Sequence, residues 1–188
     1  MKKALLLLAA ATLSFNASAA DYVIDNKGGH AFINFKVNHL GYSWLTGRFN
    51  TFTGKYSYDA SDIQSTKIVI DIDTNSFDSN HAKRDKHIRS EDFLDTKKYG
   101  TAKFISTKVT DKGDNQLEVV GDLTLHGVTK SITIDAEKVG EGKDPWGNYR
   151  SGFAGSTALL LKDFDISDRL GPVSAQIFMD LHIEGIRQ

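Results

Sequence analysis

From Ala31 the chain alternates, with Ile33, Phe35, Val37 and His39 on one side and Asn34, Lys36 and Asn38 on the other. A period of two places successive side chains on opposite faces of a strand, one face buried and one wet. The pattern returns at Ile68, Ile70 and Ile72 against Lys67, Asp71 and Asp73, and at Leu117, Val119, Leu123 and Leu125 against Glu118, Asp122 and Thr124. Ile132 and Ile134 continue it, as do Ala175, Ile177, Met179, Leu181 and Ile183. All are predicted as sheet elements with one solvated face.

Turn chemistry separates these runs: Asn26-Lys27-Gly28-Gly29, Asp111-Lys112-Gly113-Asp114-Asn115, His126-Gly127 and Asp144-Pro145-Trp146-Gly147. Short strands joined by tight turns predict an antiparallel meander, closed as a barrel or folded as a sandwich. Gly47, Gly54, Gly121, Gly152 and Gly155 fall inside strand-like runs, where glycine marks bulges or bends; barrels need such corners more than flat sandwiches do. Residues 80–95, rich in charge and poor in β-branched side chains, read as one or two short helices. Asn80 is the expected N-cap of the first, and Ser90 followed by Glu91 and Asp92 the start of a second.

The amino terminus follows a different pattern. Lys2 and Lys3, a mostly apolar run from Ala4 to Phe15, and the small residues Ala17-Ser18-Ala19 form an export signal cleaved after Ala19, with Ala20 nearly as good a site. The run is shorter than the roughly 20 residues of a spanning helix. Residues 1–19 are therefore read as signal peptide and 20–188 as one domain that is released into the periplasm. Losing Lys2 and Lys3 takes the 23 basic residues to 21 against 24 acidic ones, a net charge of −3. No basic field is left to attract nucleic acid or an anionic membrane. The chain has no cysteine, so neither disulfides nor thiolate chemistry enter.

Candidate catalytic and metal chemistry is thin. His81 and His87 stand six apart, some 120° around a helix at about 100° per residue, and cannot chelate together from a regular one. The remaining histidines are scattered, no G-x-S-x-G elbow exposes a serine, and Gly140-Glu141-Gly142 lacks the rest of a phosphate loop. No catalytic residue, metal ligand or cofactor is expected. Asp85 and Arg89, at i and i+4, read as a surface ion pair.

The 11 phenylalanines say more, because Phe32, Phe35, Phe49, Phe52, Phe104, Phe153, Phe164 and Phe178 sit in strand-like runs. An eight-stranded barrel is just wide enough to be filled by such side chains or to hold one slender apolar guest.

Several long blocks carry a family likeness: His30-Ala31-Phe32-Ile33-Asn34-Phe35 leading to His39-Leu40-Gly41-Tyr42-Ser43-Trp44, then Asn80 to Ser90 with Asp92-Phe93-Leu94. Others follow in order, from Gly121 to Lys130, Asp144-Pro145-Trp146-Gly147, Gly152-Phe153 and Lys162-Asp163-Phe164. On these the chain closely resembles the YceI-like family of exported lipid-binding proteins. It departs where the family commonly has proline, at Gly100 and Ser131, both at segment edges.

The resemblance implies an all-β, lipocalin-like, extended eight-stranded antiparallel barrel with a short helical excursion. It implies a long-chain isoprenoid ligand, a polyprenyl or quinone-like amphiphile, and no catalytic residues. Strand parity with the likeness places Phe35, Val37, Phe49, Ile70, Ile72 and Phe104 against the apolar tail. Leu123, Leu125, Phe153, Phe164, Ile177, Met179 and Leu181 complete that set. His39, Arg84, His87 and Arg89 are candidates for the head-group end.

Two rival readings stand beside this one. One is an enzyme acting on a lipid or carbohydrate through histidines and carboxylates. The other is a membrane-embedded barrel, opposed by the helical excursion, the polar Ile186-Arg187-Gln188 end and the lack of aromatic girdles. Transient contact with a membrane or membrane protein is compatible with a lipid carrier, and an aromatic cluster at Tyr42, Trp44 and Leu45 could pair two copies.

Overall fold

The alternating segments form eleven strands in one antiparallel sheet, seen in a computed structural model that describes residues 19–188. The predicted export signal, Ala19 apart, lies outside the described residues. The strands are β1 (Ala20–Ile24), β2 (Phe32–His39), β3 (Ser43–Phe49), β4 (Phe52–Tyr58), β5 (Lys67–Asp73) and β6 (Phe77–Asp78). After the helix α1 (Ala82–Ile88) come β7 (Thr101–Gly113), β8 (Gln116–Leu125), β9 (Val128–Lys143), β10 (Tyr149–Leu160) and β11 (Gln176–Arg187).

The sheet closes on itself. Its order runs β1-β4-β5-β7-β8-β9-β10-β11, and β11 pairs back onto β1, so eight strands make a lipocalin-like barrel. β11 is long enough to serve two partners: Gly185 lies opposite Ile24 of β1, while Leu181 lies opposite Ile33 of β2. Thus β2 continues the wall position that β1 begins, and β3 and β4 share the next. Closure satisfies the backbone groups that an open edge would leave free.

The hairpins turn where the sequence predicted. Asp114-Asn115 and His126-Gly127 are two-residue loops with positive φ at both positions, between the paired residues Gly113 and Gln116 and Leu125 and Val128. That conformation matches the right-handed twist of the flanking strands, and Asn, Asp, His and Gly adopt it at least cost.

The helical excursion differs from expectation. Only one helix forms, and its N-cap is His81, whose Nδ1 accepts from Arg84 N–H at 3.1 Å. Asn80 instead takes a left-handed turn at φ 60°, which asparagine tolerates. The second predicted start is a run of turns, with the Ser90 hydroxyl donating back to the His87 carbonyl. Asp85 and Arg89 form no ion pair. Asp85 is buried and accepts from the Ser79 N–H and hydroxyl, while Arg89 Nη1 donates to the Phe77 carbonyl at 2.7 Å.

A charged clasp on the outer wall holds the place where β1 leaves β11 and β2 joins it. Arg150 on β10 reaches Asp25, Asp144 and Glu184, each at 2.6 Å, and His30 Nδ1 lies 3.0 Å from Asp25. Arg150 and then His30 hold the Asp25 carboxyl down to about 2, below its ordinary 3.8. Because the folded carboxyl is the stronger acid, its stabilisation is complete above about pH 4 and is lost as pH falls toward about 2. Arg150→Met leaves three clustered carboxylates without their cation. The expected loss is about 2–4 kcal/mol at neutral pH, lessening as the medium is acidified, read by thermal unfolding across that range.

Candidate functional site

The inward faces of the strands enclose an apolar cavity of about 450 Å³. All thirteen side chains predicted to meet an apolar tail line it, drawn from seven strands and the turn Leu161–Phe164. Parity explains this agreement, since in a closed barrel one face of every strand must look inward. Val37, Ile134, Ile177, Met179 and Leu181 face the interior yet are only half-buried, because the space before them is open.

Other lining residues escaped the sequence reading. Leu45, Tyr56 and Tyr58 belong to strands whose alternation is broken by glycines and hydroxyl residues, and Ile88, Phe93 and Leu94 come from the excursion. Conversely, Phe32 and Phe178 lie on the outer wall, where Phe178 packs edge-on against Trp44 at 5.7 Å. Phe52 is buried but is not part of the lining.

Some of the strand glycines make room for rings. Phe35 lies over Gly47, its pairing partner on β3, and Phe104 lies over Gly121 on the neighbouring β8. A Cβ at either glycine would overlap the ring. Of the glycines expected to mark bulges, Gly152 sits at a register shift, between Gly152 and Phe153, and Gly121 lies opposite one, between Ser106 and Lys108.

One end of the cavity is shut by aromatic side chains. Tyr22 and Tyr56 stack at 4.9 Å, Phe153 meets Tyr56 and Tyr58 edge-on at 5.7 and 5.3 Å, and all three tyrosines are buried. The Tyr56 hydroxyl donates to the Ser151 carbonyl at 3.0 Å. Burial pushes its phenol well above the ordinary value, so this hydroxyl stays neutral. Lys138 Nζ lies 4.7 Å from the Tyr58 ring and 3.0 Å from Glu141, closing the corner.

The opposite end is the mouth. The lining residues that reach solvent, His39, His87, Leu160 and Leu170, all lie there. The structure also brings Arg84 to this lining, but Arg89 stands apart, committed to backbone carbonyls of Asn75 and Phe77. Three of the four head-group candidates therefore meet. Arg84 donates to the Ser79 hydroxyl at 2.7 Å and to the Ser79 carbonyl at 2.6 Å. Among the described residues it has no carboxylate partner, and it is the one lysine or arginine on the lining.

His87 Nε2 lies 3.2 Å from Asp92, which also takes a 3.0 Å contact from Arg169. His87, and after it Arg169, hold the Asp92 carboxyl below the usual carboxylate range. This chain links the excursion to the loop after β10. No aspartate or glutamate lines the cavity. Among the described residues one cluster has metal-ligand character: Asp25, His30 and Glu184, with donor atoms within 4.8 Å of one another. Arg150 already lies against both carboxylates, where a cation would sit.

A closed antiparallel barrel with one apolar, single-mouthed cavity defines a class of binding proteins related in form to the lipocalins. A YceI-like domain matches residues 22–185, and the chain belongs to that family. A UPF0312 protein of Vibrio cholerae serotype O1 is 59% identical over 191 residues, with 100% of both chains covered. One from Shewanella denitrificans is 58% identical with the same coverage. Among solved structures, the Campylobacter jejuni YCEI protein superposes with TM-score 0.73 at 25% identity, covering 81% of this chain and 91% of that one. Burkholderia cenocepacia BcnA gives 0.76 at 19% identity, over 86% and 98%. A polyisoprenoid binding domain from Saccharophagus degradans gives 0.66 at 16%, over 91% and 100%. The last two show the fold alone.

Gly47→Val and Gly121→Val should each cost about 1–3 kcal/mol by driving Phe35 or Phe104 from its place. Gly140→Val, where an added Cβ meets nothing within 4 Å, should stay within about 0.5 kcal/mol of the parent. Urea unfolding midpoints of the three variants check the ranking.

Proposed function

We propose that the protein is an exported, periplasmic carrier or sequestering protein that holds one long-chain isoprenoid lipid inside the barrel. The observation that carries this reading is the cavity's polarity along its length. Aromatic and aliphatic side chains line it from the shut end upward, and its one unpaired guanidinium, Arg84, lies with His39 and His87 toward the mouth. A polyprenyl or quinone-like amphiphile has that same division, an apolar chain ending in one polar group. The arginine suits a phosphate or carbonyl oxygen there, being weakly hydrated and rich in donors.

Energetics favour occupancy. Each methylene transferred from water contributes about 0.8 kcal/mol, before the cost of ordering the chain is subtracted. The shared fold with the polyisoprenoid binding domain of Saccharophagus degradans is consistent with this ligand class, though the reading rests on the cavity. The alternative, an enzyme using histidine and carboxylate, has only His87 with Asp92 at the mouth to draw on.

Organic extraction of the purified protein and mass spectrometry should recover an intact polyprenyl compound. An empty barrel that turns over added lipid or glycoside would overturn the proposal. Removing the lipid should lower the thermal midpoint by several degrees, in keeping with about 2.7 kcal/mol of stabilisation at a hundredfold excess over Kd. Phe35→Asp and Leu181→Asp, on the inner face, should abolish co-purification, and Lys36→Asp, on the outer face, should not. Circular dichroism confirms beforehand that each variant folds.

A further inference from the structure

The mouth is ringed by two loops that carry large apolar side chains into solvent. The β2–β3 loop presents Leu40 at 44% exposure and Tyr42 at 86%; the loop before β11 presents Leu170 at 47% and Val173 at 56%. They form one rim, because Leu40 N–H donates to the Ser174 hydroxyl at 3.2 Å and Ser174 is buried between them. Residues 38–46 and 170–177 contain no aspartate, glutamate, lysine or arginine, in a chain of which 25% is charged. An uncharged apolar patch of this kind marks an interaction surface.

Leu40 adds an independent observation. It holds a left-handed conformation, φ 55°, at the tip of a loop whose next residue, Gly41, is at φ 85°. Asparagine or glycine would occupy that position at lower cost. A leucine there sits against its preference and leaves nearly half its surface in water in the isolated chain. Its use lies in something that covers it.

What covers it follows from continuity with the cavity. Leu170 and Ser174 belong to the rim and also line the interior, so anything seated on the rim lies directly over the route of entry. Resting on the lipid-carrier reading, we propose that this rim seats in the interfacial layer of a phospholipid bilayer, letting the lipid pass between membrane and barrel without crossing water. Just below the rim Trp44, 53% exposed, has Lys36 Nζ 5.1 Å from its ring. Tryptophan and tyrosine belong at the headgroup level, with a lysine reaching up to the wet side. The patch itself bears no charge, so its attachment is apolar and weakly sensitive to salt.

Vesicles of phosphatidylethanolamine with phosphatidylglycerol provide the test. The parent protein should sediment with them at low and at moderate salt. The triple variant Leu40→Asn, Tyr42→Ser, Val173→Ser should lose at least tenfold in vesicle binding and in the rate of lipid transfer between vesicles. Its thermal midpoint should be unchanged or higher, since asparagine relieves the strained position. In Trp146→Phe, which leaves Trp44 as the reporter, emission should shift to the blue on adding vesicles. In Trp44→Phe, which leaves Trp146 at the opposite end of the barrel, it should not. Undiminished vesicle binding by the triple variant would overturn the inference, as would a rim-dependent dimer in sedimentation equilibrium without vesicle binding. Extraction of the same preparations tests the carrier reading separately. A chain that yields no lipid fails that reading, while the vesicle measurements still report on the rim.

Discussion

Everything in this protein depends on β11 pairing with β1 and β2 at once. That pairing turns a meander into a ring and gives the strands on both sides of the seam a ladder partner. A hollow apolar interior is unstable against collapse unless its wall is held by forces that do not require the interior to be full. Here the wall is held by ladder hydrogen bonds that run from strand to strand around the ring. At the seam where β1 gives way to β2, the ladder is briefly interrupted. Arg150 and its carboxylates bridge that gap from outside, where they cost the cavity none of its apolar character.

The wall was legible in the sequence and the corners were not. Alternation in β2, β5, β8 and β11 identifies the inner face because parity is a local property that closure cannot alter. That is why the inward positions from Phe35 to Leu181 all meet in one cavity. The same parity places Phe32 outside, at an even position opposite the lining, although composition alone grouped it with the interior phenylalanines. Gly47 and Gly121 look alike from sequence, yet only Gly121 lies opposite a bulge. Whether a strand glycine bends the wall or seats a neighbour's ring depends on a residue across the sheet, which no local pattern reports.

The excursion was least legible because long-range contacts override its local signals. Asn80 is a good cap by composition, yet Ser79, Arg84 and Asp85 draw the chain into a different start. The i,i+4 spacing of Asp85 and Arg89 suggests a pair, but burial of Asp85 commits it to Ser79 and leaves Arg89 to brace Phe77. The clasp is equally remote, joining residues 125 positions apart. A lone acid or arginine carries no mark of such a partner.

The two ends of the barrel differ in a way that bears on how a guest would move. At the shut end, stacked tyrosines, a buried hydroxyl on Ser151 and the Lys138–Glu141 pair leave little room for rearrangement. At the mouth, the elements are joined by a few polar contacts, the exposed His87–Asp92–Arg169 chain, which water can replace at small cost, and the single bond from Leu40 to Ser174. Local opening takes the path with fewest buried contacts to break, so the mouth yields first while the aromatic end keeps the ladder in register. A long chain threaded from that side need displace only the loops. The barrel can then stay closed through entry and release, with its stability and its exchange of ligand assigned to opposite ends.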